Sequence, residues 1–132
     1  MDNHALKAPS GYSPPQTVRE LLSRYASGER YFQGTDLYEG SFNGAVLASS
    51  DFRHSWLNSI DFSSADLRDV CFDETNVKVS DFRNADLRGA SFRDAALCGA
   101  WFTGARVDGV CTEGATFHGA NVTDIRVLAE SQ

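Results

Sequence analysis

Residues 82–107 read Phe82-Arg-Asn-Ala-Asp-Leu87-Arg-Gly-Ala-Ser-Phe92-Arg-Asp-Ala-Ala-Leu97-Cys-Gly-Ala-Trp-Phe102-Thr-Gly-Ala-Arg-Val107, and this stretch decides the fold. A large apolar residue returns every five positions, with a small residue two places before it. Extended both ways, the grid has centres Phe32, Leu37, Phe42, Leu47 and so on to Val122 and Val127, and all nine phenylalanines lie on it. Residues 30–129 therefore make twenty uninterrupted pentapeptides. A repeat this regular takes precedence over any reading of single elements.

Period five suits neither a helix, which wants apolar residues every 3.6 positions, nor a flat strand, which wants them every two. It suits a short extended step followed by a corner. Within the step, the centre and the residue two before it share one face, and the residue between them takes the other. The charges agree. Of 23 charged residues between 30 and 129, only Arg30 occupies an inward slot. A dry interior requires that separation, because burying unpaired charge is costly.

From 32 to 107 the centres alternate Phe with Leu or Val, a rhythm of ten residues. A fifteen-residue, three-sided coil would mix the two in every column. A twenty-residue, four-sided coil stacks Phe on Phe in two opposite columns and aliphatic on aliphatic in the others, which suits close packing and offset aromatic contacts. Five such coils at a strand spacing of about 4.8 Å give an array roughly 24 Å long.

Segments such as Ala65-Asp-Leu-Arg-Asp, Ala85-Asp-Leu-Arg-Gly and Ala120-Asn-Val-Thr-Asp carry a motif that resembles the pentapeptide-repeat family. The resemblance implies an all-β solenoid, a right-handed quadrilateral β-helix. Pro14–Phe32 also resembles the leaders that precede such arrays in cyanobacterial proteins. Members of the family differ widely in function.

Solenoid ends need caps. Ser13 is expected to N-cap a helix with Pro14 or Pro15 in its first turn. Val18, Leu21, Leu22 and Tyr25 share one helical face, and Gly28 can stop the helix. The expected domains are a mobile tail over 1–14, a capping helix at 15–28, the array at 30–129 and a short tail at 130–132. The residues after Val127 look too few for a second capping helix, so a monomer or a dimer through the C-terminal coil is expected. At the corners, eight of the eleven glycines occupy the last slot of a unit, the position of a type II turn that needs positive φ. From 49 to 84 that slot holds Ser, His, Ser, Ser, Asp, Glu, Val and Asn. Glu74 and Val79 would be strained there, so type II turns are expected at the glycine-rich fourth and fifth coils and mostly non-type-II turns from 47 to 82.

The chain has 132 residues and a formal charge of −6, with no apolar run long enough to span a membrane. Its start lacks the pattern of a secretory signal, so a cytoplasmic protein with reduced thiols is expected. His4 lies in the tail, and His54 and His118 sit on corners where neither is placed to share a nucleophile or a metal. Cys71 and Cys111 share a column two rungs apart, about 9.6 Å, too far for a disulfide. Cys98 is on another corner, and all three read as plain exposed thiols. No metal, cofactor or turnover is expected.

The candidate interaction surface is Asp61 over Asp81, Asp66 over Asp86, and two outward tryptophans, Trp56 and Trp101. Trp101 shares the column of Asp61 and Asp81. Arg68, Arg83 and Arg88 on neighbouring corners should partly neutralise the aspartates. A convex wall offers no cleft for paired-carboxylate chemistry, so the expected function is a non-catalytic interaction module with an unidentified protein partner, no direct nucleic-acid binding and no membrane. The resemblance supplies an alternative, a DNA mimic that binds gyrase or a related topoisomerase. Duplex DNA of roughly 24 Å carries about fourteen phosphates, whereas the array carries 14 acidic and 9 basic residues. It also lacks the C-terminal helix through which those relatives dimerise.

Overall fold

Backbone pairing in this chain repeats every twenty residues. The computed structural model describes residues 7–131. Parallel bridges join Tyr31 to Asp51, Asp51 to Cys71, Cys71 to Ser91 and Ser91 to Cys111, with matching series on the other walls. The rungs are too short to be long strands; only β1 (Asp36–Tyr38) and β2 (Trp56–Asn58) extend beyond single bridges, pairing in parallel with Leu37 opposite Leu57. Each inner step is bonded to the coils before and after it: Asp81 N–H donates to Ile60 O at 2.9 Å on one side, and Phe82 N–H donates to Trp101 O at 2.7 Å on the other.

The centres define four walls, beginning at Phe32, Leu37, Phe42 and Leu47. Phe32, Phe52, Phe72 and Phe92 stack on the first wall with centroids 4.9–5.7 Å apart. Phe42, Phe62, Phe82 and Phe102 stack on the third at 5.1–5.4 Å. The two stacks meet edge-on across the middle, as between Phe72 and Phe82 at 5.7 Å. All eight rings are buried. Offset stacks within columns and T-shaped contacts between them are the arrangements that aromatic quadrupoles favour.

The corners depart from expectation. The last slot of every unit from Gly34 to Gly119 has positive φ, including Glu74 at 54° and Val79 at 60°. The expected change of turn type between 47 and 82 is therefore absent. The ladder imposes the conformation: Val79 N–H donates to Cys98 O at 2.9 Å, and Ser80 N–H closes the turn onto Val77 O at 3.1 Å.

At the start, α1 (Val18–Ala26) begins later than expected, with Thr17 as its N-cap in place of Ser13; the Thr17 hydroxyl accepts from Glu20 N–H. Pro14 and Pro15 precede the helix as irregular chain. Leu21 is wholly buried and Tyr25 donates its hydroxyl to Ala48 O at 2.8 Å. Gly40 occupies an inward slot of the first coil, where a Cβ would collide with Val18 of α1. The expected mobile tail falls partly outside the described residues, as does His4. Its described end is held: Tyr12 packs on Tyr31 at 4.8 Å and donates its hydroxyl to Gln33 O at 2.6 Å. Burial pushes the Tyr12 pKa up to about 12. Arg30 is exposed, its guanidinium 3.6 Å from the Tyr25 ring centre.

At the other end the chain leaves the ladder. β3 (Thr116–Phe117) and β4 (Ala120–Asn121) form an antiparallel hairpin, Phe117 opposite Ala120. His118 and Gly119 both have positive φ, the signature of a type I′ turn. Residues 120–129, expected as the last two units, instead contribute β4 and α2 (Ile125–Ser131). Ala120 and Val127, expected inward, are exposed. Ile125 is buried, and Gly104 N–H donates to Ala129 O at 3.0 Å, so a short helix does lie over the last coil.

Candidate interaction surface

Every coil sets its outward residues in columns twenty apart, so the walls can be read from the register. On the third wall, Asp61, Asp81 and Trp101 stack in successive rungs. On the fourth, Val46, Asp66, Asp86 and Arg106 do so. The four aspartates thus occupy adjacent walls, as the sequence implied, and Trp101 completes one column. Trp56 stands apart on the second wall, between Asp36 and Asn76. Among the described residues, neither the leader nor the tail covers a tryptophan: Trp56 is 56% exposed and Trp101 45%.

The carboxylates are not bare. Asp66, Asp81 and Asp86 each accept the backbone N–H two residues on, and each is gripped by the guanidinium of that same residue. Arg83, for example, donates Nε to Asp81 Oδ1 at 3.0 Å and Nη2 to Oδ2 at 2.7 Å. Arg68 and Arg88 repeat this fork on Asp66 and Asp86. Such bidentate pairs are short and directional. They hold all three carboxyls below the usual carboxylate range, the arginine hydrogen bonds being the largest cause. Asp61 has no arginine of its own; its Oδ1 accepts the Ser63 N–H at 2.8 Å and the Ser63 hydroxyl. Arg83 also lies 5.1 Å from the Trp101 ring centre, so Asp81, Arg83 and Trp101 form one composite patch. Arg83 over Trp101 was not foreseen, because wall register fixes columns but not the direction of a long side chain.

The first wall differs from its sequence reading. Asp51, Arg53 and Asp73 hold outward slots yet are buried. Gln33 Nε2 donates to Asp51 at 2.8 Å, Arg53 Nη2 to Cys71 Sγ at 3.5 Å, and the Ser91 hydroxyl to Asp73. Cys71 is correspondingly buried, not exposed, and burial pushes its thiol pKa up. Cys111 receives Arg93 Nε at 3.2 Å. His54 meets Glu74 at 3.4 Å. His118 does have a nucleophile beside it: its Nδ1 lies 3.2 Å from Cys98 Sγ, one rung back in the same column. Their numbers differ by twenty, so the sequence register alone could have paired them. Among the described residues no group of three or more His, Cys, Asp or Glu could hold a metal ion, and no helix is long and apolar enough to cross a membrane.

A ladder of twenty-residue coils with stacked aromatic columns and paired charges outside defines a repeat-built β-solenoid. The chain belongs to the pentapeptide-repeat family: the family's sequence model, Pentapeptide repeats, matches in eight copies over residues 31–63, 47–78 and 80–119. Members of that family fold as right-handed quadrilateral β-helices. Among solved structures, the chain is similar to HetL from the cyanobacterium Nostoc sp. strain PCC 7120, a pentapeptide repeat protein involved in heterocyst differentiation regulation. They are 31% identical with a TM-score of 0.64, over 76% of this chain and 47% of HetL. The chain thus spans about half the length of HetL. Rfr23 from the cyanobacterium Cyanothece 51142 is 18% identical with a TM-score of 0.53, over 81% of this chain and all of that one, a likeness of fold alone. QnrB1, a plasmid-mediated fluoroquinolone resistance protein, gives a TM-score of 0.40 at 23% identity over 64% of this chain and 47% of its own, which carries no argument. No curated protein sequence matches the chain.

Proposed function

We propose that this chain is a non-catalytic binding scaffold that engages a protein partner through its third wall, with Trp101 as the anchor. The observation that carries this reading is the exposed Trp101 indole on a hydrogen-bonded column, its N–H donating to Ser80 O at 3.0 Å and its carbonyl accepting from Phe82 N–H at 2.7 Å. Tryptophan and arginine are enriched among residues that dominate interface energetics, and a rigid wall loses little freedom on binding. Arg83, already forked to Asp81 and near the ring, adds a pre-ordered cation. The regulatory involvement of HetL is compatible with an interaction role. Local arginine pairing of Asp66, Asp81 and Asp86 weighs against a DNA-mimicking strip, which needs unopposed negative charge.

The test is affinity capture from the source organism's lysate with the intact chain and with Trp101→Ala as parallel baits. A partner retained by the first and lost from the second supports the proposal. Equal retention on both baits moves the interface off this wall.

The end helices are read as closures of a coil stack of about four and a half turns between 30 and 119. Burial of Leu21 and Ile125 and the fit of Val18 over Gly40 support this. Leu21→Ala should then lower stability by about 2–5 kcal/mol in urea unfolding; an unchanged midpoint would remove α1 from that role.

A further inference from the structure

Cys98 is set apart from the other two cysteines by what its sulfur touches. Its neighbour on the next rung is His118, with Nδ1 3.2 Å from Sγ. The ladder fixes this approach: Leu97 N–H donates to Thr116 O at 2.8 Å, and Ala96 bridges Thr116. The imidazole is held from the other side too. Phe117 packs edge-on against it at 4.5 Å, and His118 is the first central residue of the type I′ hairpin turn. Cys98 is half-buried and His118 exposed, so a small reagent reaches the pair from solvent.

The alternatives lack one requirement each. Cys71 is buried and its thiol is pushed toward the protonated form. Cys111 accepts from Arg93, which steadies a thiolate but cannot take a proton, and Arg93 is also 4.0 Å from Glu113. An imidazole can take the proton, and a nucleophile within hydrogen-bond reach of a base is the arrangement that activates a thiol.

We propose that Cys98, with His118 as its base, is a thiol-modification site that exchanges with low-molecular-weight disulfides. The Cys98 proton passes to Nδ1 of His118. The Cys98 thiolate attacks one sulfur of the disulfide, a new S–S bond forms as the old one breaks, and the departing thiolate takes up the proton. The protein gains a mixed disulfide and the reagent leaves as one thiol, with electrons balanced. The adduct sits on the second wall, the one bearing Trp56, and so goes beyond the binding role placed on the third.

The test treats the intact, reduced chain with oxidised glutathione at neutral pH and follows each cysteine by peptide mapping and mass spectrometry. Cys98 should form the mixed disulfide about tenfold faster than Cys111, and His118→Asn should remove that advantage. Asn followed by Gly is a favoured type I′ pair, so the variant keeps the hairpin while losing the base. Its unfolding temperature and its Cys111 rate serve as references for an intact fold. If Cys71 or Cys111 reacts as fast as Cys98 in the unsubstituted chain, the proposal fails whatever the variant does. It fails equally if His118→Asn leaves the Cys98 rate unchanged.

Discussion

The corners from 49 to 84 and those from 89 to 119 share one backbone conformation and have different chemistry. The first set holds no glycine, yet φ runs from 54° at Glu74 to 66° at Ser49. The second is glycine at every position except Asp94, with φ of 73° to 80° at the glycines. A free chain would place Val or Glu elsewhere, since a left-handed conformation costs an L-residue about 1–2 kcal/mol. The ladder overrides that preference, because each corner N–H from Ser49 to Asn84 is also a rung: Ser49 donates to Arg68 O at 2.9 Å and Glu74 to Arg93 O at 2.7 Å. Glycine in the second set has another role as well. The side chains of Asp69, Asn84 and Asp94 lie where a Cβ on Gly89, Gly104 and Gly114, one coil further on, would be. The first set is tolerated strain; part of the second also leaves room for the tip of a corner side chain one coil back.

Substituting those glycines separates the two roles. Gly114→Val adds both backbone strain and a collision with Asp94, and should lose about 3 kcal/mol in urea unfolding. Gly109→Val meets only ordinary contacts with Gly89, so it should lose about 1–2 kcal/mol, the backbone share alone. Equal losses would mean that the space above Gly114 has no special importance.

Acid should weaken the third and fourth walls, where the arginine forks lie. The forks of Arg68, Arg83 and Arg88 hold Asp66, Asp81 and Asp86 below their ordinary value of 3.8. A carboxyl whose folded pKa is depressed stabilises the fold above its unfolded value, and that contribution fades as pH falls through the folded one. Thermal midpoints should therefore drop as pH falls below that ordinary value of 3.8. The Asp-to-Asn triple variant at 66, 81 and 86 should show a shallower fall. The fork of Arg126 on Asp124 is more exposed and should matter less. A triple variant with the original slope would assign acid sensitivity elsewhere.

The interior was legible from sequence because burial there is a matter of side-chain type at fixed spacing: Phe32 to Phe102 leave no other register. Trp101 above Asp81 followed from the same arithmetic, as would have Cys98 beside His118. The corners were not legible, because the force that holds Val79 at positive φ is a bond to Cys98, nineteen residues on. The last two units misled as well. Ala120-Asn-Val-Thr-Asp matches the repeat, yet the His118-Gly119 turn reverses the chain onto Thr116 and Phe117, and Ile125 enters a helix. The buried Asp51, Arg53 and Asp73 escaped notice because slot parity gives a direction, not what lies above it.

Val79 tests the claim that the ladder, not the corner residue, sets the backbone. Its side chain is 52% exposed, so replacing it loses little burial. Asparagine tolerates positive φ far better than a β-branched residue does. Val79→Asn should therefore raise stability by about 0.5–1 kcal/mol, read as a higher thermal midpoint with unchanged cooperativity. A lower midpoint would contradict the account, since it would mean that Val79 bears no such strain.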